Sequence, residues 1–578
     1  MKAHVMLFIF YLLSMYGFSQ TYITNATIVD VEKKKLIENQ TVVITDDEIS
    51  NIQSNKKVKI PENATVIDAT GKFIVPGLVD AHVHFFQNGG LYARPDVIDL
   101  RGDQPHKDEI ELSKNNMDIH SKLYVRNGIT TVIDVGATYN LLNKRRDYKN
   151  NPLAPNIYMT GPLLTTYEPA VYNNLDKDEP FSLVKTVEDG IKMVQNQLQY
   201  KPDFIKIWYI VGADGLDTET SARKNLPIIK AIIEESHKNN LKVAVHATQR
   251  ITAQLAVENG ADFLVHSVDD ELITTDFANL LKKNNTILCP TLIVHDRYNK
   301  TFAQDFDYNN HELTTSNPYQ LGTLMDLAHL ENKQLTDGYK NAMKSQQNIS
   351  RAEQLNATMM TNLKTLVDAG VTIATGTDAG NIGTLHASSY LAELQAMQTS
   401  GMTNWQILEA STINGAKILG KESEYGTVSI GKKANLIILD SNPITDINNL
   451  TTIHQVINKG KVLELNDIIK DTPEALAQRQ LNAYNARNIE AFLEPYADDV
   501  EVYTFPNQLM FKGKDLMRVS YAQMFKNTPN LHCELENRII QGNVVIDEER
   551  VQFGERIIEA TAIYHIEKGK IQKVYFIN

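Results

Sequence analysis

The sequence predicts an α/β protein whose central part is a (β/α)8 barrel of the TIM type. Short apolar runs alternate with amphipathic helical stretches from residue 73 to residue 378, a rhythm typical of strand–helix units around a parallel sheet. We count eight such runs, and eight strands close a barrel. The chain has 578 residues, more than a barrel of about 250 residues needs, so further modules are expected at both ends.

The eight apolar runs are four to seven residues long, the usual length of a buried strand. They lie at residues 77–82, 130–134, 156–159, 204–208, 243–246, 263–266, 286–289 and 371–375. Residues 293–368, between the seventh and eighth runs, are polar, helical in pattern and too long for an ordinary loop. We therefore expect a helical cap over the mouth of the barrel.

Both flanks of the barrel carry β signals. Short alternating strands are expected near residues 21–23, 41–44 and 65–67, and again near 435–439 and 456–458. From about residue 467 a separate α+β unit begins, with Thr472 as an N-cap, Pro473 at the first helical position, and a terminal hairpin turning at Gly569. We expect this unit to fold on its own and to be dispensable for metal binding.

The N-terminus has the features of a signal peptide. Lys2 and His4 precede an apolar run, residues 5–18, which is shorter than the roughly 20 residues that span a bilayer. Gly17 and Ser19 are small residues where a signal peptidase cleaves, so residues 1–19 are expected to be removed before Gln20. The mature protein is then exported, periplasmic or extracellular, without a membrane anchor.

The charge balance indicates which classes of binding partner to expect. The formal net charge is −13, which argues against nucleic acids and anionic membranes, because both bind basic protein surfaces. We expect a small-molecule substrate and no nucleic acid, and we leave a homo-oligomer open. The two cysteines, Cys289 and Cys533, fall in different predicted units, so no structural disulfide is expected.

Metal-ligand side chains occur at the C-terminal ends of the predicted strands, where barrel enzymes build their active sites. His82 and His84 are two apart at the end of the first run, which places both imidazoles on one face. A pair of exposed histidines is the alternative interpretation for this motif alone. His246 and His266 end the fifth and sixth runs, and Asp378 follows the eighth.

Lys206 lies inside the apolar run 204–210, where an unpaired ammonium is costly. One explanation is that the aliphatic part of the Lys206 side chain extends to the end of the strand, where its ammonium reaches solvent. The other is a neutral amine that captures CO₂ to form a carbamate, whose two oxygens bridge two cations. Six ligand-type residues on one rim indicate a metal centre.

Residues 75–84, Val-Pro-Gly-Leu-Val-Asp-Ala-His-Val-His, resemble the opening motif of the amidohydrolase superfamily. The other ligand-type residues resemble its binuclear subtype with a carboxylated lysine, in the branch of imidazolonepropionase-like proteins and prolidase-type dipeptidases. Residues 426–436 resemble the returning strands of the composite β-sandwich in the same enzymes. The resemblance covers about residues 21–465. The C-terminal unit resembles the SnoaL-like, nuclear-transport-factor-2-like cone.

The resemblance implies a domain plan. It comprises a composite β-sandwich from residues 20–72 and 420–466, a metallohydrolase barrel over 73–419 with its cap at 293–368, and a SnoaL-like domain over 467–578. It also implies two divalent ions. His82, His84, Lys206 and Asp378 would bind one, and carboxylated Lys206, His246 and His266 the other.

The same resemblance implies the chemistry. A hydroxide would bridge the ions, and Asp378 would be the catalytic group that takes its proton. Zn²⁺ is the first choice for an imidazole-rich site, with Mn²⁺, Ni²⁺ or Fe²⁺ as alternatives. His295, His386 and Tyr209 are candidate substrate-binding residues. Residues 164–169 replace the glycine- and histidine-rich loop that relatives carry after the third strand.

Three classes of function remain open: a hydrolase, a deaminase and a non-catalytic binding protein. Hydrolysis of an amide bond in a dipeptide or N-acyl amino acid leads, and hydrolysis of an ester, lactone or phosphoester on the same site follows. A deaminase is disfavoured, because mononuclear deaminases of this superfamily have a glutamate three residues after the strand-five histidine, where this chain has Gln249. A non-catalytic binding protein is disfavoured because no ligand is missing.

Overall fold

The computed structural model describes residues 20–577, so the predicted signal peptide at residues 1–19 lies outside the described residues. This part of the chain is a mixed α/β protein whose strands form four sheets. None of its helices has both the length and the apolar character needed to cross a bilayer.

The first sheet combines strands from both flanks of the predicted barrel. Phe73–Pro76 pairs antiparallel with Leu436–Leu439, and Ile74 and Ile438 are buried in the core of this sheet. The two flanks therefore meet in one layer, as expected. Its eight strands are Gln20–Asp30, Lys35–Thr45, Glu48–Ser54, Thr65–Asp68, Phe73–Pro76, Leu436–Leu439, Ile453–Asn458 and Lys461–Leu463.

Two parallel sheets form the centre of the molecule. The first contains, in order, Leu78–Val83, Ile129–Asp134 and Asn156–Met159. The second contains, in order, Phe181–Leu183, Leu163–Thr165, Phe204–Trp208, Lys242–His246, Phe263–Val265 and Ile287–Cys289. Apolar residues of these strands are buried on both faces of the sheets, as in parallel strands covered by helices.

Backbone hydrogen bonds link the two parallel sheets. Residues 371–375 lie between them, since Ala374 N–H donates to Leu288 O at 2.9 Å and Ala81 N–H donates to Thr375 O at 2.9 Å. On the other side of the first sheet, Asp203, just before the strand Phe204–Trp208, donates its N–H to Met159 O at 3.0 Å. The strands that carry the predicted ligands therefore face one another.

Helices flank these strands. One, Arg250–Glu258, stops just before Gly260, whose φ of +100° suits the predicted helix end. The flanking helices are His106–Arg126, Tyr139–Lys144, Val187–Leu198, Thr218–Lys238, Arg250–Glu258, Thr275–Lys283, Gln346–Asp368, Tyr390–Thr399, Asn404–Ala410 and Ile413–Ile418. Short 3₁₀ turns lie at Asn55–Lys57, Arg145–Tyr148, Ala170–Tyr172, Asp176–Asp178, Leu327–His329 and Ile447–Thr451.

The segment predicted as a cap is helical. Its helices before Gln346–Asp368 are Val294–Ala303, Asn310–Thr315, Pro318–Met325 and Lys333–Met343. Phe302 and Met343 from two of these helices line a cavity of about 470 Å³ at the C-terminal ends of the parallel strands. The cap therefore contributes directly to the walls of this cavity.

The C-terminal unit has the predicted α+β composition. Thr472 accepts a hydrogen bond from Ala475 N–H at 3.1 Å, as expected of an N-cap. The helices are Leu465–Ile468, Pro473–Asn485, Ile489–Leu493 and Lys514–Asn527. The six strands, in sheet order, are Gln508–Lys512, Tyr496–Thr504, Lys570–Ile577, Arg556–Glu567, Val544–Phe553 and His532–Gln541.

The C-terminal unit and the cap share one apolar core. Leu321 and Leu324 of the cap pack in the same buried cluster as Leu476 and Phe492. The Asn482 amide donates to the Pro318 carbonyl at 2.7 Å. The expectation that this unit folds as an independent module must therefore be revised, because part of its core belongs to the cap.

Two details of the central sheets differ from the prediction. Residues 371–375 form only an isolated parallel bridge, Ile373 with Leu288, rather than a regular strand, because their hydrogen bonds are divided between two neighbours. Leu163–Thr165 and Phe181–Leu183 are strands that were not predicted. Each has three residues, too few for a periodic pattern to show.

Candidate metal centre

The parallel strands bring all six predicted ligands to one cavity of about 470 Å³. The donor residues lie within or just beyond the C-terminal halves of their strands. Asp378 is fixed beside the first strand, since its N–H donates to His82 O at 2.7 Å and His84 N–H donates to Ala379 O at 2.8 Å. The residues that line this cavity and were predicted as ligands are His82, His84, Lys206, His246, His266 and Asp378.

Three of these side chains meet at one point. Asp378 Oδ1 lies 3.1 Å from His82 Nε2 and 3.1 Å from His84 Nε2, and the two imidazole nitrogens are 3.2 Å apart. His266 Nε2 is 4.0 Å from Asp378 Oδ2, and the rings of His246 and His266 have their centroids 4.3 Å apart. Donor atoms of His82, His266 and Asp378 all lie within 4.8 Å of one another, close enough to share an ion.

The far nitrogens of two imidazoles are held by hydrogen bonds. His84 Nδ1 lies 3.0 Å from the carbonyl of Gly136, which can only accept, so Nδ1 carries the hydrogen and Nε2 keeps its lone pair. His266 Nδ1 lies 2.6 Å from Thr291 Oγ1. Such contacts orient metal-binding histidines and select the tautomer.

Two site residues have backbone angles that favour glycine. The φ of His266 is +74° and that of Asp378 is +59°. A left-handed conformation of a residue other than glycine costs on the order of 1–3 kcal/mol and persists where the surroundings impose it. Here it directs both side chains into the cavity.

Burial favours the neutral form of three imidazoles, those of His82, His246 and His266. It lowers the pKa of His82 to about 4, although Asp378 opposes this shift, and it lowers the pKa of His246 and of His266 well below the usual range. For Asp378, burial raises the pKa, but the contacts with His82 and His84 outweigh it and hold the net pKa well below its usual value. Neutral imidazoles and an ionised carboxylate are the protonation states that bind divalent metals.

The donor set fits a divalent cation. Asp378 Oδ1 is buried and has no hydrogen-bond partner among residues 20–577, although two imidazole nitrogens lie 3.1 Å away. Lone pairs of an anionic oxygen and of neutral imidazoles repel one another at this distance unless a cation or a proton lies between them. A divalent ion satisfies all of these donors together.

Lys206 lies in the wall of the same cavity and is 1% exposed. Burial lowers its pKa to about 7, against the opposing effect of Asp378. A substantial fraction of this amine is therefore uncharged near neutral pH, and an uncharged amine is the form that can react with CO₂.

Two buried carboxyl groups behind the ligands carry no function in the sequence analysis. Asp80 accepts hydrogen bonds from Thr377 N–H at 3.0 Å and Thr377 Oγ1–H at 2.7 Å. Asp134 accepts from Phe85 N–H and Gly136 N–H, each at 3.1 Å. Each carboxyl group holds backbone close to a proposed ligand. Asp80 could have been found from the sequence, because it lies two residues before His82 on the first strand and therefore on the same face.

The three predicted substrate-binding residues have different surroundings. His295 lines the cavity, with Nε2 3.7 Å from Asp269 Oδ2. Tyr209 does not line it, because its buried hydroxyl donates to Ala222 O on the helix side of the strand. His386 is also behind the cavity wall, with its ring nitrogens 2.9 Å from Tyr124 OH and from Gln87 O. The structure therefore places His295, but neither Tyr209 nor His386, in the wall of the cavity.

Sequence reasoning missed several residues of the cavity wall. Trp208 points inward, two residues after Lys206, so the alternation of the strand was its signal. Arg94 also lines the cavity, where Asp96 accepts from its Nε at 2.7 Å and from Nη2 at 2.6 Å. No motif marks Arg94, because a loop carries it there.

Comparison with known proteins identifies the families of the two parts of the chain. The amidohydrolase family matches residues 73–463, and the SnoaL-like domain matches residues 477–574. An enamidase from Eubacterium barkeri is 26% identical over 270 residues, which are 43% of this chain and 58% of the enamidase. A 5-methylthioadenosine/S-adenosylhomocysteine deaminase from Carboxydothermus hydrogenoformans is 21% identical over 491 residues, covering 81% of this chain and 95% of the deaminase. The alignments with the first two curated relatives span 58% and 20% of those proteins, less than two thirds of either.

Solved structures show the same fold. A Xaa-Pro dipeptidase with bound methionine has a TM-score of 0.58 at 22% identity, covering 77% of this chain and 100% of that chain. Ochratoxinase from A. niger has a TM-score of 0.57 at 18% identity, covering 77% of this chain and 96% of that chain. Both resemblances inferred from the sequence are confirmed. Because the first family match covers more than half of its 578 residues, the chain belongs to the amidohydrolase family of hydrolases and carries a SnoaL-like domain after the amidohydrolase part.

Proposed function

We propose that this protein is a metal-dependent hydrolase that cleaves a carbon–nitrogen amide bond in a small substrate, such as a dipeptide or an N-acyl amino acid. The observation that carries the proposal is the meeting of Asp378 Oδ1 with the Nε2 atoms of His82 and His84 at 3.1 Å, in a cavity that Lys206 also lines. This donor set suits divalent metal and leaves room for a substrate beside it.

Two ions account for the whole set of donors. His82, His84, Lys206 and Asp378 would hold one, and Lys206, His246 and His266 the other, with a carbamate on Lys206 shared between them. Zn²⁺ is the proposed ion, with Mn²⁺, Ni²⁺ or Fe²⁺ as alternatives. When bound, such ions lower the pKa of water and polarise a carbonyl.

The residues of the chain have separate tasks in this proposal. Asp378 is held ionised and aimed into the cavity, so it accepts the proton of the attacking water and returns it to the leaving nitrogen. The hydrogen bonds of His84 to Gly136 and of His266 to Thr291 keep their imidazoles in a fixed orientation throughout. His295, at the wall, is the candidate contact for the substrate.

We also propose that the two parallel sheets form one closed (β/α)8 barrel. Hydrogen bonds on both sides of residues 371–375 and the Asp203–Met159 bond support closure. The domain plan stays as predicted: a composite β-sandwich from residues 20–72 and 420–466, a barrel over 73–419 with a cap at 293–368, and a SnoaL-like domain over 467–578. The matched ranges 73–463 and 477–574 support a division near residue 467.

We prefer amide cleavage over the alternatives because the similar proteins include an enamidase and a Xaa-Pro dipeptidase. Ester, lactone or phosphoester hydrolysis uses the same donors and stays the second proposal. Deaminases are among the relatives, but Gln249 stands where a deaminase of this superfamily needs a carboxylate, and its amide donates to Thr248 Oγ1 at 2.8 Å. We further propose that residues 1–19 direct export to the periplasm or beyond the cell.

The test is an activity screen of the metal-loaded chain beginning at Gln20, against panels of dipeptides, N-acyl amino acids and lactones. We expect turnover in the first two panels, dependence on added metal, and loss of activity in Asp378→Asn, which keeps the shape of the side chain. Turnover of lactones alone would favour the second proposal. Ammonia release from aminopurines or cytosine by the unaltered protein would overturn the proposal of amide cleavage and favour a deaminase.

A further inference from the structure

The C-terminal domain contains a second cavity, of about 270 Å³, that shares no lining residue with the metal cavity. It lies between the helices of this domain and its sheet. Aromatic rings make up much of its wall, and the centroids of Phe492 and Tyr521 are 4.5 Å apart, with Tyr484 6.2 Å from Phe492. Met510, 54% exposed, stands at its rim, so the cavity can be reached from solvent.

Two buried carboxyl groups point inward from the strand Val544–Phe553, two residues apart. Asp547 has a built-in counter-ion, because Arg538 donates to it through Nε and Nη2, each at 2.7 Å. Glu549, 6% exposed, lies in the wall of the cavity instead. No lysine, arginine or histidine of the described part of the chain forms an ion pair with Glu549, whereas Asp547 has one.

A chain of hydrogen bonds ends on Glu549. Tyr496 OH donates to Gln480 Oε1 at 3.1 Å, Gln480 Nε2 donates to Tyr564 OH at 2.9 Å, and Tyr564 OH donates to Glu549 Oε1 at 3.0 Å. Both tyrosine hydroxyls in this network already donate their hydrogen. The network therefore fixes one carboxyl oxygen of Glu549 but supplies no positive charge. Burial and the charge of Asp547 raise the pKa of Glu549 to about 7, against the opposing effects of the Tyr564 hydrogen bond and the more distant charge of Arg538.

A carboxyl group without a counter-ion, set among aromatic rings, is complementary to an organic cation. An ammonium supplies the missing charge and hydrogen-bond donors, and aromatic faces attract a desolvated cation. We propose that this cavity binds a small primary amine with an aromatic or apolar body, its ammonium on Glu549 and its body against Tyr484, Phe492 and Tyr521. The volume is near the lower end of the roughly 300–1,000 Å³ range of ligand pockets, which limits the body to about one ring and a short chain.

This site would take the class of molecule that the proposed function releases, since hydrolysis of an amide yields an amine. That connection rests on the proposed function. The binding itself does not, because it is defined by Glu549 and the aromatic wall alone.

The experiment is calorimetric titration of the full mature chain with 2-phenylethylamine, 2-phenylethanol and phenylacetate. We expect one amine per chain, bound about 10- to 100-fold more tightly than the alcohol, since a hydrogen bond to a charged group contributes about 1.5–3 kcal/mol. Phenylacetate should not bind. Comparing the amine with the alcohol requires no variant, so the test does not depend on the folding of one.

Glu549→Gln should weaken amine binding by a similar factor and leave alcohol binding unchanged. Glu548→Gln, exposed on the same strand, is the matched control and should bind like the unaltered chain. Equal affinity for the amine and the alcohol would overturn the proposal. Unchanged amine binding in Glu549→Gln would also overturn it, and would indicate that the amine binds in the metal cavity instead. Neither titration measures hydrolysis, so failure here is distinct from failure of the proposed function.

Discussion

Replacing Lys206 by alanine removes the side chain that is proposed to bridge the two ions and leaves the histidine pairs in place. Lys206 is 1% exposed, so the substitution opens a small cavity in the wall. Loss of a buried aliphatic stem costs about 2–5 kcal/mol. Against this, burial lowers the pKa of the unmodified amine from 10.5 to about 7, so burying that amine at pH 7 costs about 4 kcal/mol.

The two effects nearly cancel, so Lys206→Ala is expected to fold. Activity should fall by about 10³ or more, because losing one cation removes several kcal/mol of charge stabilisation and each 1.36 kcal/mol is tenfold in rate. Metal content should drop from about two ions per chain to one or none.

The assays are metal analysis by mass spectrometry, circular dichroism for the fold, and turnover of the best substrate from the screen. Added formate or acetate should restore part of the activity, because a free carboxylate can take the place of the carbamate. Lys206→Arg is the matched control, and it should not be rescued, since a guanidinium stays charged and does not react with CO₂. Full metal content and full activity in a folded Lys206→Ala protein would refute the reasoning.

Three further predictions follow from the same structure. Gln249→Glu should not create deaminase activity, measured as ammonia release, because the second ion would occupy the space that a deaminase gives to its substrate; release from aminopurines would contradict this. A chain ending near residue 466 should still bind about two ions by metal analysis, since no proposed ligand lies beyond Asp378. It should melt at a lower temperature, because Leu321 and Leu324 lose their packing partners. Loss of metal from a soluble truncation would contradict this prediction, and a fall from an oligomer to a monomer on sizing with light scattering would show that the domain mediates self-association. Burial raises the pKa of Glu549 from 4.5 to about 7, so this side chain does not destabilise the fold below about pH 4.5 but destabilises it as the pH rises toward 7. The Glu549→Gln variant should therefore be more stable than the unaltered chain by up to about 3 kcal/mol at pH 8, and equally stable near pH 4.5, as measured by urea unfolding. A gain in stability that is independent of pH would contradict this.

The meeting of the six proposed ligands in one cavity could be predicted because each lies within or just after an apolar, strand-like run. Two rules were enough: alternation along a strand, and active sites at the C-terminal ends of barrel strands. The same alternation also predicts which neighbours of Lys206 face the cavity. Trp208, two residues on, faces the cavity, whereas Tyr209, three residues on, faces the helices.

Other features depend on contacts between distant parts of the chain. His386 is close in sequence to Asp378, but the hydrogen bonds with Tyr124 and Gln87 hold its ring behind the cavity. The shared core of Leu321 and Leu476 joins segments about 150 residues apart in sequence. Neither position carries a local pattern, so propensity and periodicity give no signal for them.

The central claim is a two-ion centre bridged by carboxylated Lys206. Its most direct test is a crystal structure of the metal-loaded, unaltered protein, with anomalous diffraction measured at the absorption edge of the metal. We expect two anomalous peaks, one beside His82, His84 and Asp378 and the other beside His246 and His266, with electron density for a carbamate on Lys206 Nζ between them. Two fully occupied peaks beside a bare Lys206 ammonium would contradict it.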